Sequence, residues 1–214
     1  MKAVLFDYNG TLLDDLLVAY GSVAEIFRRY GILSPTLEQY REEIITDYMK
    51  FYYDHGFSPN FSGSGAKGDA DALNAIRKEF YENHASEASF RPDAVKTIIG
   101  LKEAGIKVAI VSADIESVLV ERLNREGMVD LFERKNIWGG VHKDKTPILL
   151  EACRRLGVDS KEAVYVDDTV DGTSAAVKAG MVAVGFGNGY NSRGRLLEIT
   201  PYIIDRLSEL LGEF

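Results

Sequence analysis

Carboxylates at the ends of apolar, strand-length segments are the residues of this chain best placed to do chemistry. VLFDYNGTL (residues 4–12) runs from an apolar stretch straight into Asp7, Asn9 and Thr11. KVAIVS ends on Ser112, with Asp114 two residues on, and AVYVDD ends on Asp167 and Asp168. In an open parallel sheet, ligands bind beyond the carboxyl ends of the strands, so these segments bring their polar residues to one edge. Like charges gathered there repel strongly unless a cation neutralises them. Donors that are all oxygen suit Mg²⁺, which keeps several waters and takes few protein ligands.

Such residues need a sheet to hold them. KAVLF, KVAIVS (107–112), AVYVDD (163–168) and MVAVGF (181–186) read as buried parallel strands, with weaker strand signals at RKNIWGG (134–140) and PYII (201–204). RPDAVKTIIGLKEAG, with Pro92 in its first turn, SVLVERLNREG and TPILLEACRRLG carry helical spacing between Pro or cap openings and Gly stops. Strands alternating with such helices predict an α/β chain with a parallel sheet covered on both faces. Residues 15–88 break the rhythm with three helical patterns and no strand, and SPNFSGSGAKGD (58–69) lies between the second and third. The predicted division is therefore a core of 1–14 with 89–214 and a helical insert of 15–88, a cap over the end of the sheet. Asp14 and Asp15 precede the first insert helix and read as its N-cap.

With 214 residues, the chain can build one substantial α/β domain plus a small insert. Its formal charge of -8 argues against non-specific binding to nucleic acid or anionic membranes, which needs a basic face. The single cysteine, Cys153, sits at helical spacing in LLEACRRLG; it reads as a buried structural thiol and fits a reducing, cytoplasmic setting. No run of 18 apolar residues occurs, MKAVLF is short for a signal peptide, and His55, His84 and His142 lack metal-ligand spacing. A monomer or homodimer is expected.

D-Y-N-G-T-L at 7–12, a strand ending in Ser112, a lysine ahead of a helix, and D-D-T-V-D-G followed by AAVKAGM resemble, in this order, the four motifs of the haloacid dehalogenase-like hydrolases. The helical insert is similar to the C1 cap of the phosphoglycolate phosphatase-like and β-phosphoglucomutase-like members. The resemblance implies a Rossmann-like core and a Mg²⁺-dependent phosphohydrolase acting on a small phosphorylated metabolite. By position, Asp7 would attack phosphorus and form an aspartyl-phosphate. Mg²⁺ would be held by Asp7, the backbone carbonyl of Asn9 and Asp168, with Asp167 binding directly or through water. Ser112, Ala113 after it and the lysine of the third motif would contact the phosphoryl group. Lys145 is preferred to Lys143 for that lysine, since Thr-Pro follows it and sets its ammonium beside a helix start. Gly10 tightens a turn whose N–H groups suit an anion, and Thr11 is either a phosphate contact or a turn-closing side chain. The commoner family pattern has a carboxylate where Gly172 stands. The acidic pair of DDTVDG matches a β-phosphoglucomutase-like variant, in which Asp171 would be a helix N-cap or solvated turn residue.

Asn9 departs from the pattern, because family phosphatases usually carry an aspartate there that protonates the leaving group and then activates water. An amide shuttles no proton, and a positioned acid–base group contributes about 10²–10⁴-fold. Four explanations stay open. The substrate has a good leaving group; another acid (Asp14, Asp15, Asp114 or one from the insert) substitutes; the chain does dehalogenase or phosphonatase chemistry; or the asparagine is an incidental replacement. A phosphonatase would need a lysine such as Lys50 or Lys67, and a dehalogenase would use no metal, which the acidic pair argues against. A further alternative is a catalytically weak phosphate-binding or regulatory protein. The chain also resembles a family subgroup with asparagine at this place and a late G-N-G-Y-N-S-like loop. That loop would line the mouth of the site, with Asn188 and Arg193 as candidate contacts. Tyr48, Phe51 and Tyr52 recur at helical spacing and read as insert core or a substrate wall.

Overall fold

The computed structural model describes residues 1–44, 48–57, 65–140 and 144–212, and for 65–69 the backbone alone. Its elements begin with β1 (Ala3–Phe6), β2 (Leu13–Asp14), α1 (Leu16–Tyr30), α2 (Leu37–Glu43), α3 (Tyr48–Asp54) and α4 (Gly65–His84). The chain continues through β3 (Ser89–Phe90), α5 (Ala94–Glu103), β4 (Lys107–Val111), α6 (Glu116–Arg125), β5 (Ile137–Trp138) and α7 (Thr146–Leu156). It closes with β6 (Ala163–Asp167), α8 (Val170–Lys178), β7 (Val182–Phe186), α9 (Arg193–Leu197) and β8 (Ile203–Ile204). Two compact units result, Met1–Leu13 with Phe90–Phe214, and Asp14–Ser89.

The first unit is built on a six-stranded sheet of order β5-β4-β1-β6-β7-β8, parallel throughout. β1 and β6 are buried at every position, as continuous apolar strands covered on both faces must be. From β1 the chain first builds outward through β4 and β5, then crosses to β6, β7 and β8 on the other side. The direction of winding therefore reverses between β1 and β6, where open α/β sheets hold their ligands. Register sharpens that position. Phe6 lies opposite both Ile110 and Val166, so the next residues, Asp7, Val111 and Asp167, come level at the strand ends.

On one face of the sheet Leu5, Val111 and Tyr165 pack with Leu149, Ala152 and Cys153 of α7 and with Ala175 and Ala176 of α8. Fully burying an aliphatic side chain of this size contributes roughly 1.5–3 kcal/mol, which fixes the helix starts relative to the strand ends. Cys153 is a buried free thiol whose burial raises its pKa, in keeping with a packing role. The segment 134–140 holds a shorter strand than its apolar character suggested, because Arg134–Asn136 forms a 3₁₀ turn first. Pro92 falls just outside α5, which starts at Ala94 behind an N-cap Asp93.

The second unit is helical. Phe27 of α1 is its centre, with ring contacts to Phe51 at 6.4 Å, Tyr52 at 5.7 Å and Phe57 at 5.0 Å. Phe51 and Tyr52 are therefore core residues, and Tyr48 packs against the same cluster. α2 opens with a capping box between Thr36 and Gln39, a device worth about 1 kcal/mol. Asp15 occupies the N-cap position of α1 without a side-chain cap hydrogen bond. His55 bonds the Phe51 carbonyl and His84 bonds Glu87, so neither histidine stands in a ligand group. Of the Gly- and Ser-rich stretch, residues 58–64 and the side chain of Lys67 lie outside the described residues, as do His142 and Lys143; Gly65 onward is helix. No helix among the described residues is long and apolar enough to cross a membrane.

Candidate active site

Asp7, Asp167 and Asp168 each present a carboxylate oxygen within 4.8 Å of the others. All three are buried, at 6%, 0% and 0% exposure. The sheet explains the meeting: Asp7 is the residue after β1, its N–H donating to the Val166 carbonyl, and Asp167 ends the neighbouring β6. Burial and the adjacent Asp167 charge push Asp7 up to about 7, although Lys145 pulls in the opposite direction. Asp168 is raised well above the ordinary carboxylate range by burial and by the charges of Asp167 and Asp7. A donor set made only of oxygen, with this density of charge, fits a small hard divalent cation.

Lys145 supplies the positive charge on hand. Its ammonium lies 2.8 Å from Asp7 Oδ1, 2.8 Å from Asp167 Oδ2 and 2.9 Å from the Tyr165 hydroxyl. Burial opposes its charge, but Asp167 and Asp7 outweigh that cost and hold its pKa above the usual lysine value. Lys145 is itself the N-cap residue of α7; Thr146 is the first helical residue, bonded to Asp144 through its N–H and hydroxyl. The rigid helix start thus aims a flexible side chain.

Asp167 also reaches the N-terminus of α8, accepting from the Thr169 N–H at 2.8 Å and hydroxyl at 2.6 Å, where the helix dipole favours an anion. The cap of α8 is Thr169, whose hydroxyl accepts from the Gly172 N–H; Asp171 lies inside the first turn and is not the cap. A Cβ on Gly172 would come within 1.9 Å of Asp167 Oδ2, so a side chain there and this placement of Asp167 exclude each other. Asp168 is gripped from behind. Thr11 donates its hydroxyl to Oδ1 at 2.9 Å, and the Tyr190 N–H donates to Oδ2 at 2.6 Å. Gly10 and Gly189 flank the same carboxylate so closely that a Cβ on either would fall 2.1 Å and 2.2 Å from its atoms.

Residues 4–186 match the haloacid dehalogenase-like hydrolase family. The chain belongs to that family. It is 32% identical to glyceraldehyde 3-phosphate phosphatase of Methanopyrus kandleri over 99% of this chain and 96% of that protein. It is also 25% identical to a phosphoglycolate phosphatase of Aquifex aeolicus, over 84% and 82% of the two chains. Among solved structures, a haloacid dehalogenase-like hydrolase from Deinococcus radiodurans, with bound phosphate and sodium, shares the fold at a TM-score of 0.72 and 21% identity, covering 98% of this chain and 93% of that one. Relatives named as phosphatases and pyrophosphatases set this hydrolase among the phosphatases of the family.

In this haloacid dehalogenase-like hydrolase the remaining motif residues are disposed as follows. Ser112 follows β4, is 2% exposed, and its hydroxyl oxygen accepts from the Asp114 N–H, while Ala113 between them is exposed. Asp114 itself is ion-paired to Arg122 at 2.9 Å. Gly10 takes the left-handed conformation at φ 76°, which lets the chain turn tightly after Asp7. The Asn9 side-chain carbonyl is buried and has no hydrogen-bond partner. Thr11 faces Asp168, neither closing the turn nor free as a donor.

Three contributors escape the motif reading. Tyr165 sits under Lys145 on a strand face that reads only as core. Arg91 donates to the carbonyls of Gly10 at 2.9 Å and Asn188 at 3.1 Å, joining the turn after Asp7 to the late loop. That loop backs the acids: Asn191 donates its N–H to the Asp168 carbonyl and accepts from the Val170 N–H. Asn188 and Arg193 both bond to Asp205, which ties the late loop to the chain after β8. Side chains at period 2 on a buried strand, and backbone donors in a loop, carry no type signal in a single sequence.

Proposed function

We propose that the protein is a Mg²⁺-dependent phosphohydrolase that acts on a small phosphorylated metabolite through an aspartyl-phosphate at Asp7. The observation that carries this reading is the buried trio Asp7, Asp167 and Asp168 with the Lys145 ammonium between two of them. When bound, Mg²⁺ would be held by Asp7, Asp167, Asp168 and the Asn9 backbone carbonyl and would neutralise the acids and the phosphoryl oxygens. An Asp7 oxygen attacks phosphorus, the bond to the leaving oxygen breaks, and water later releases phosphate from Asp7. Lys145, the Ser112 hydroxyl and N–H groups around Gly10 and Ala113 offset charge on the phosphoryl oxygens. The buried single thiol is consistent with work in a reducing, cytoplasmic compartment.

Asn9 narrows the substrate. Its amide accepts a hydrogen bond but cannot protonate an alkoxide, so turnover favours leaving groups stable as anions, such as those of aryl phosphates or phosphoanhydrides. The same residue favours a second reading, a phosphate-binding protein with little turnover. Dehalogenation is disfavoured by the trio, which that reaction does not need, and a phosphonatase role for Lys50 is disfavoured by its ion pair with Asp54. A screen of aryl, anhydride and alkyl phosphates separates these readings. Hydrolysis of the first two, lost with EDTA and in Asp7→Asn, is expected; phosphate binding without turnover on any of them would select the second reading.

A further inference from the structure

Tyr165 belongs to no motif and lies two residues before Asp167 in β6, fully buried. Its hydroxyl lies 2.9 Å from Lys145 Nζ and 3.1 Å from the Val111 carbonyl, and it also bonds with the Asp167 carboxylate. Chemistry fixes the directions. The carbonyl and the carboxylate only accept, so the phenolic hydrogen goes to that pair, and the phenol oxygen is left to accept from the ammonium. The ammonium has three hydrogens and three acceptors: Asp7, Asp167 and Tyr165. With side-chain exposure of 11%, little water is at hand to replace a lost acceptor.

The three acceptors differ in what the reaction does to them. On the reading proposed above, Asp7 changes from anion to acyl phosphate and back in each turnover, so its bond to Lys145 changes too. The phenol keeps its charge state and its place in the sheet throughout. It is also tied to Val111, the residue before Ser112, and so holds the lysine in register with the strand end that carries the serine. A lysine side chain has four flexible bonds and loses its aim easily without such an anchor.

We propose that Tyr165 is a positioning residue that keeps the Lys145 ammonium aimed at the phosphoryl group while Asp7 is being phosphorylated and released. Tyr165→Phe removes one oxygen and keeps the ring, so the core stays filled. The expected result is a kcat about ten-fold lower with KM within about two-fold, and no further loss when the change is made in a Lys145→Ala background. A second measurement needs no turnover: carbon relaxation at the Lys145 side chain in metal-free protein reports greater mobility in Tyr165→Phe than in the parent. Should the parent hydrolyse no phosphate ester, the phosphohydrolase reading fails, and the mobility comparison alone decides the role of Tyr165. An unchanged kcat with unchanged Lys145 mobility overturns the inference, and so does a loss in the double variant equal to the sum of the single ones.

Discussion

The Lys145 ammonium sits 2.8 Å from Oδ1 of Asp7, a residue 138 positions earlier in the chain. Helix α7 and strand β1 are thereby joined at the level where the sheet reverses its winding. The lysine compensates part of a buried cluster of three acids, and among the described residues a single cation ion-paired to this cluster of three carboxylates leaves excess negative charge.

That excess has a consequence for stability. Burial and Asp167 raise Asp7 to about 7, and Asp168 is raised as well, so both bind protons more tightly folded than unfolded. Their contribution to folding is full below the ordinary carboxylate range and is lost as pH rises through about 7 for Asp7. Glu25 and Glu151, held down to about 2 by neighbouring arginines, stay ionised between pH values of about 5 and 8 and do not alter the trend. Scanning calorimetry of metal-free protein should therefore show a melting temperature that falls across that range, by a free energy on the order of a few kcal/mol, and recovers with added Mg²⁺. A rise with pH in the absence of metal contradicts this electrostatic picture.

Gly172→Ala tests the geometry of the acidic pair. The new methyl would meet Asp167 Oδ2 at 1.9 Å, so the carboxylate must leave its bonds with Lys145 and Thr169. Activity should fall at least about a hundred-fold, as a misplacement of about 1 Å in a catalytic group can cost that much. Isothermal titration should show weaker Mg²⁺ binding in the same variant. Unchanged metal affinity and rate would mean that Asp167 lies elsewhere in the working enzyme.

Much of this arrangement was legible in the sequence, and the reason is periodicity. Continuous apolar runs marked β1, β4, β6 and β7, and their polar ends marked Asp7, Ser112, Asp167 and Asp168. The short β5 and β8 were visible only as weak signals, because two-residue strands give no period to read. For Asp171 the sequence left a helix N-cap and a solvated turn residue open, since Asp and Thr both cap helices; the turn geometry makes Thr169 the cap and leaves Asp171 exposed in the first turn. The phenol of Tyr165 was hidden by its neighbours: a tyrosine within AVYVD reads as core, and its polar end matters only once α7 brings Lys145 over it.

Asn9→Asp addresses the missing acid. The change restores a proton donor at the same size, so hydrolysis of alkyl phosphates should rise by about 10²–10⁴-fold, while aryl phosphates and phosphoanhydrides gain little. Parallel steady-state rates on the two classes decide it. An equal gain on both would indicate that Asn9 limits something other than departure of the leaving group.

The central claim is that Asp7 itself becomes phosphorylated. Because Asn9 should slow release of the phosphoryl group, protein quenched in acid during turnover of an activated phosphate should carry one phosphoryl group, and peptide mass spectrometry should locate it on Asp7. Quenched protein without that mass, together with single-turnover phosphate that takes its new oxygen directly from heavy-oxygen water and leaves Asp7 unlabelled, would contradict the account.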